Sequence, residues 1–364
     1  MLRNVPDYDQ ILRRMDAFWH GELVDRPVCT MGVAKPARER LPEPPSHHAT
    51  SAERWQDAEY QAELHRVRIA NTVFLGDALP VAMPNLGPEI FASFYGCPIH
   101  FGDVGTSWTD PILEEWGDAD DLTLDWQSPY LQKMEELTDV FIERGRGLWI
   151  TGMTDWHPGG DAVAALRDPQ RLAVDLITNP DDVQRLLVRL EDDYWRVYEH
   201  FYQRLRAAGL PITSWIPLVH EGRYYIPQND FSCMISPGMF AEFFLDGIRR
   251  ECQHLDRSIY HLDGPAALRH LDALLAIPEL HAIQWVYGAG NEGYERWVPV
   301  YRRIQQAGKG MEVSVAFDEV PQVIETLDPH GVYLSVGGVP SVEAGEALLR
   351  ELERWCTGKV YPVA

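Results

Sequence analysis

Eight short apolar runs rich in β-branched residues alternate with longer segments of helical period. That alternation constrains the fold more than any other feature of the chain. The runs fall at 27–31, 72–76, 148–152, 211–217, 258–263, 282–288, 312–317 and 332–338. Helix-period segments at 53–71, 181–208, 236–255, 293–307 and 341–355 lie between most of them. Strand and helix alternating eight times predict a (β/α)8 barrel, an α/β fold in which parallel strands are each followed by a helix. The expectation is one barrel domain over 1–364, with a helical N-terminal extension over 1–25. A long insertion, 80–147, precedes the third strand. Ser236-Pro237 and Asn179-Pro180 read as helix starts, each a capping side chain before a proline whose missing N–H does no harm.

In a barrel the working residues lie at the C-terminal ends of the strands. Those positions hold Asp77, then Asp155 and His157, then His220 and Glu221, then His261 and Asp263. Trp285, Tyr287, Asp318 and Ser335 come on the last three strands. Ionisable groups from many strands are thus expected to converge on one cavity. The chain has 55 Asp and Glu against 32 Lys and Arg, a net charge of −23. That balance argues against nucleic acid, which needs clustered cations, and against anionic membrane surfaces. The five cysteines are odd in number and contain no Cys-x-x-Cys pair, which fits a reducing compartment. The charged N-terminus has no apolar core of signal-peptide type. A cytoplasmic protein is expected.

The stretch from His220 to Asp263 adds a resemblance. Asp230 precedes Ile235-Ser236-Pro237 and Phe240-Ala241-Glu242-Phe243. This resembles the middle of the uroporphyrinogen decarboxylase-like barrels, a superfamily that includes corrinoid and coenzyme M methyltransferases. Phe74-Leu75-Gly76-Asp77 resembles the same superfamily's second strand, whose aspartate faces the pocket. The resemblance implies that Asp77 and Asp230 bind substrate, with Asn85 in the turn Pro84–Pro88 bringing backbone to the ligand. Two departures narrow the activity. The decarboxylase's N-terminal arginine motif is not intact at Met31–Glu43, where Lys35, Arg38 and Arg40 stand instead, and its late His-Gly segment is absent. The thiol methyltransferases carry His-x-Cys after strand five and a cysteine near strand eight. Here those places read His261-Leu262-Asp263 and Ser335. Soft ligands have given way to a hard one, so no thiolate zinc site is expected, while a site for a harder metal using His261, Asp263 and Glu221 stays open.

The function expected is methyl transfer between a small substrate and a corrinoid carried by a partner protein. His261, Asp263 and Glu221 are the expected acid/base groups. Asp77, Asn85, His220, Asp230 and Ser335 would hold the substrate, with Tyr224, Trp285 and Tyr287 as aromatic walls. A second copy of the chain, in a homodimer, is a further expected partner. Three readings compete. One is a decarboxylase or other lyase of the same superfamily. Another is a glycosidase using Glu221 and Asp318, since such enzymes need two carboxylates about 5 Å apart. The third is a binding protein without turnover. Gly288-Ala289-Gly290-Asn291-Glu292-Gly293 matches a dinucleotide fingerprint, but it follows the sixth strand of an eightfold alternation and reads as a barrel loop.

Overall fold

The computed structural model describes residues 2, 5, 7–103 and 105–358. Eleven strands are present among them: β1 (Val28–Ala34), β2 (Thr72–Gly76), β3 (Val81–Ala82), β4 (Ile99–Phe101), β5 (Ser107–Thr109), β6 (Ile150–Thr151), β7 (Tyr224–Tyr225), β8 (Arg257–Asp263), β9 (Ala282–Val286), β10 (Gly310–Ala316) and β11 (Val332–Gly337). Seven form one sheet in the order β2-β1-β11-β10-β9-β8-β7. Every pair in it is parallel except β1–β2. β3 and β6 form a separate parallel pair, and β4 and β5 an antiparallel hairpin inside the long insertion. The α/β class and the mostly parallel sheet agree with the alternation in the sequence. The ladders among the described residues do not close into a ring.

Six of the eight expected strands stand close to where the apolar runs lie and run as expected. The other two depart from the barrel pattern, and with them the residues at their ends. β2 occupies its predicted residues but is antiparallel to β1, pairing Thr30 with Gly76 and Ala34 with Thr72. Its C-terminal end therefore lies beside the N-terminal part of β1, at the opposite end of the sheet from the C-termini of the parallel strands. The run 211–217 forms no ladder. Its contact is an isolated antiparallel bridge between Ile212 and His220, so the chain doubles back after Pro217. Met153 N–H also donates to the Thr213 carbonyl, at 2.7 Å, which ties that segment to the end of β6.

Helices cover the sheet because their apolar positions recur every three or four residues. The longest, Pro180–Ala207, buries Val183, Leu186, Leu190, Tyr194, Val197, Phe201 and Leu205. Ser236 caps its helix as expected, its Oγ accepting from Met239 N–H. Asn179 does not: its side chain donates to Asp175 instead, at 2.7 Å, and leaves the helix start uncapped. The N-terminal extension contains the helix Tyr8–Trp19, which buries Ile11, Met15, Phe18 and Trp19 against the core. No helix among the described residues is long and apolar enough to cross a membrane.

Candidate active site

Two loops and one strand build a polar cluster where β6 and β8 end. The chain leaving β6 brings Asp155 and His157, and the first turn of helix Gly160–Arg167 adds Asp161. The loop after β7 supplies Gln228 and Asp230, and β8 supplies His261 and Asp263. Gln228 and His261 are joined by a parallel bridge, which fixes the Asp230 loop against the end of β8.

His157 stands between two carboxylates. Its Nε2 is 2.8 Å from Asp155 Oδ2 and its Nδ1 is 3.6 Å from Asp161 Oδ2. Burial opposes a charge there, but Asp155 and Asp161 outweigh it and hold His157 well above the usual histidine range. The imidazolium form is thereby favoured, with Nε2 hydrogen-bonded to Asp155 and Nδ1 beside Asp161. Its backbone has φ of 41°, a left-handed conformation that side chains with a Cβ rarely adopt. Such strain persists where the surroundings enforce it, and here the two carboxylates do so. Both are anchored in turn. Asp155 accepts from Gln228 Nε2 at 2.6 Å, and Asp161 accepts from the Asp230 and Phe231 backbone N–H groups at 3.0 and 2.8 Å.

Asp230 is the centre of the cluster. Its Oδ1 is buried without a hydrogen-bond partner and lies 3.8 Å from His261 Nε2. Its Oδ2 lies 4.0 Å from His157 Nδ1. Burial, reinforced by the charge of Asp161, pushes the Asp230 carboxyl up to about 6, against the pull of His157 and His261. Asp230, His261 and Asp263 each offer a ligand atom within 4.8 Å of one another, as do His157, Asp161 and Asp230. In the second set the Nε2 of His157 is already hydrogen-bonded to Asp155, which leaves Nδ1 as its ligand atom. The first has the nitrogen and oxygen donors of a hard divalent cation. Neither set contains a cysteine. The buried Cys29, Cys97 and Cys252 keep their protons, burial pushing each thiol up to about 12.

Of the expected site residues, the structure brings Asp230, His261 and Asp263 together. Tyr287 follows the end of β9 and is half-buried, and Ser335 is half-buried in β11, in register with Thr30 and Ser314. The remaining assignments need correction. Asp77 is fully buried at the other end of the sheet, bound by Arg26 and Arg14 and by the Cys29 backbone N–H. It is there because β2 runs antiparallel. His220 and Glu221 follow the doubled-back segment and also lie at the far end. His220 accepts from Gly222 N–H and feels the charge of Arg257, the first residue of β8. Glu221 is 70% exposed and paired with Arg206 at 2.8 Å. Asp318 is exposed just after the C-terminal end of β10. Glu221 and Asp318 thus lie at opposite ends of the sheet and cannot flank one glycosidic bond.

Tyr224 and Trp285 are core residues rather than walls. Tyr224 donates its hydroxyl to the Ile216 carbonyl, and Trp285 packs on Trp297 at 4.9 Å. Asn85 is exposed and accepts from Gly87 N–H within its own turn. The aromatic ring that meets His261 is Trp215, edge to face at 6.3 Å. Asp161 and Trp215 carry little signal in the sequence. Asp161 looks like an ordinary first-turn acid, and Trp215 sits in a run that reads as a strand interior. Glu221→Gln is expected to change turnover less than about twofold, because Glu221 lies at the far end of the sheet from the cluster and its exposed pair with Arg206 contributes at most about 1 kcal/mol of stability. Steady-state rates checked against circular dichroism of the folded protein would show it.

No protein-family model and no curated protein matches this chain. Among solved structures it is similar to a methyltransferase from Methanosarcina mazei, with 13% sequence identity and a TM-score of 0.59. The likeness covers 95% of this chain and 98% of that one. At that identity the likeness is one of fold, and it extends over nearly the whole of both chains.

Proposed function

We propose that this protein is a barrel methyltransferase of the uroporphyrinogen decarboxylase-like kind, moving a methyl group between a small substrate and a corrinoid carried by a partner protein. The observation that carries the reading is the Asp230–His261–Asp263 cluster at the strand ends of a fold shared with a methyltransferase. When a methyl group leaves a neutral ether oxygen or amine nitrogen, the atom left behind takes a proton, whereas a quaternary ammonium departs as a neutral amine and needs none. An acid serves best with a pKa near the working pH. Asp230, pushed up to about 6, has such a value, and His261 lies beside it. The His157 imidazolium contributes a fixed positive charge behind the acid, which favours the carboxylate left once the proton has gone. Trp215, next to His261, gives a π face for a methylated cation or an aryl ether. A reduced corrinoid, as co-substrate, would supply the nucleophile.

The charge distribution favours this reading over the decarboxylase. Among the described residues the partners of Asp155, Asp161 and Asp230 are histidines, Gln228 and backbone amides, with no Lys or Arg among the ion pairs. A substrate with several carboxylates would meet carboxylates here. Asp230, His261 and Asp263 could also hold a divalent cation, which would act as a Lewis acid on the leaving atom. We take the metal-free reading, because Asp230, raised toward neutrality, can serve as the acid itself.

The test is the pH dependence of transfer. If Asp230 must carry a proton, kcat/KM falls about tenfold per pH unit above a value near 6. Asp230→Asn should remove that limb as well as most of the activity. A wild-type profile flat between pH 5 and 8, on the order of the range an acid of this kind should shape, would remove Asp230 from the acid role.

A further inference from the structure

His261, Gln284 and Glu312 stand side by side on three neighbouring parallel strands. His261 of β8 is in register with Gln284 of β9, and Gln284 with Glu312 of β10. Residues in register on adjacent strands project from the same face of a sheet. The three side chains are in contact there. His261 Nδ1 lies 2.6 Å from Gln284 Oε1, and Gln284 stands next to Glu312 and draws its carboxyl down against the effect of burial. Glu312 is 5% exposed, and its Oε2 is buried without a partner.

Donors and acceptors in this row follow from the way the Gln284 amide stands, with Oε1 toward His261. A primary amide has one donating end and one accepting end. The carbonyl end of Gln284 is turned to His261, which leaves the N–H end for Glu312. A carbonyl only accepts, so His261 Nδ1 must carry the hydrogen of the bond. In a neutral imidazole the other nitrogen is then a bare lone pair. That nitrogen, Nε2, is the one facing Asp230 Oδ1.

We propose that Gln284, oriented by Glu312, is a positioning residue that fixes His261 as its Nδ1–H tautomer, so that Nε2 faces Asp230 as a proton acceptor. The step it sets up is balanced. Once Asp230 has given its proton to the leaving atom, a proton taken up at Nε2 can pass to Asp230 Oδ1 when the 3.8 Å between them closes, the imidazolium becoming an imidazole with Nδ1–H and the carboxylate becoming a carboxyl. The assignment rests on the methyl-transfer reading only in giving this proton a use. It makes Asp230 the donor to the leaving atom and His261 its reservoir. Burial pushes Glu312 up to about 8, which keeps a proton on it at neutral pH and spares the sheet interior a second negative charge.

The tautomer can be measured without turnover. Nitrogen NMR of the full chain, labelled at histidine, should give His261 Nε2 a pyridine-type resonance and Nδ1 a pyrrole-type one at pH above 7. Gln284→Met removes the acceptor and should let the Nε2–H form appear. Gln284→Glu keeps an acceptor and should restore the wild-type tautomer. Glu312→Met should leave the amide free to turn and give a mixture of both forms. A wild-type spectrum with Nε2 protonated overturns the proposal. So does an unchanged tautomer in Gln284→Met, and if that variant does not fold, the wild-type spectrum and Glu312→Met still decide. Failure to transfer methyl groups, with the tautomer as stated, would count against the function and not against this assignment.

Discussion

Asp77→Ala is expected to destabilise the protein by about 3–5 kcal/mol while leaving turnover per folded molecule unchanged. The carboxylate is fully buried and accepts from Arg26 Nη1 at 2.5 Å and Nη2 at 3.1 Å, from Arg14 Nη1 at 3.1 Å and from Cys29 N–H at 2.9 Å. Removing it leaves the guanidinium of Arg26, 4% exposed, without its counter-charge. Arg14 suffers less, because it also holds Asp25 through two bonds of 2.6 Å. The cost comes from stranding a buried cation, not from losing an intrinsically strong ion pair. Asp77→Asn keeps the volume but also removes the charge, and should fall in the same direction. Denaturant midpoints would measure the loss. A variant of normal stability with abolished turnover would return Asp77 to the substrate pocket.

Asp230→Asn should do the opposite: a loss of roughly 10²–10⁴-fold in kcat, with the fold intact. Asparagine matches the shape of aspartate but cannot give up a proton to a leaving atom. Stability should change little or rise, because the variant removes an acid that the charge of Asp161 disfavours. His261→Ala should lower kcat over a similar range, since it removes the group that restores the proton on Asp230. The two effects should not add, because both residues handle one proton. Single-turnover rates of the two single variants and the double variant would show this. Near-normal rates in both single variants would place the chemistry elsewhere.

Local pattern makes the later strands legible in the sequence. β8, β9, β10 and β11 fall in short runs rich in apolar and β-branched residues, and their ends lie within a few residues of where those runs stop. His261, Asp263 and Asp230 are reached through the strand-end rule and the Ile235-Ser236-Pro237 resemblance. Strand direction is not legible in the same way. A run such as Thr72–Gly76 has the same composition whichever way it pairs, so nothing local places Asp77 at the opposite end. His220 and Glu221 are misplaced for a related reason, because the reversal between Ile212 and His220 is marked by a single bridge. Gln284 and Glu312 are hidden more deeply. Each looks like one polar residue in an apolar strand, and only the register of three strands shows that they form a chain ending at His261.

The central claim is that this cluster handles the proton of a departing methyl group. The most direct measurement is to incubate the purified protein with a chemically reduced free corrinoid and a panel of methylated amines and aryl methyl ethers. Methylation of the corrinoid is then followed by its visible spectrum. At least one donor class should be demethylated, with the methyl group recovered on the corrinoid and the rate lost in Asp230→Asn. The claim is contradicted if no donor is demethylated while the same cluster, judged by the same variant, catalyses the release of carbon dioxide from a carboxylic acid.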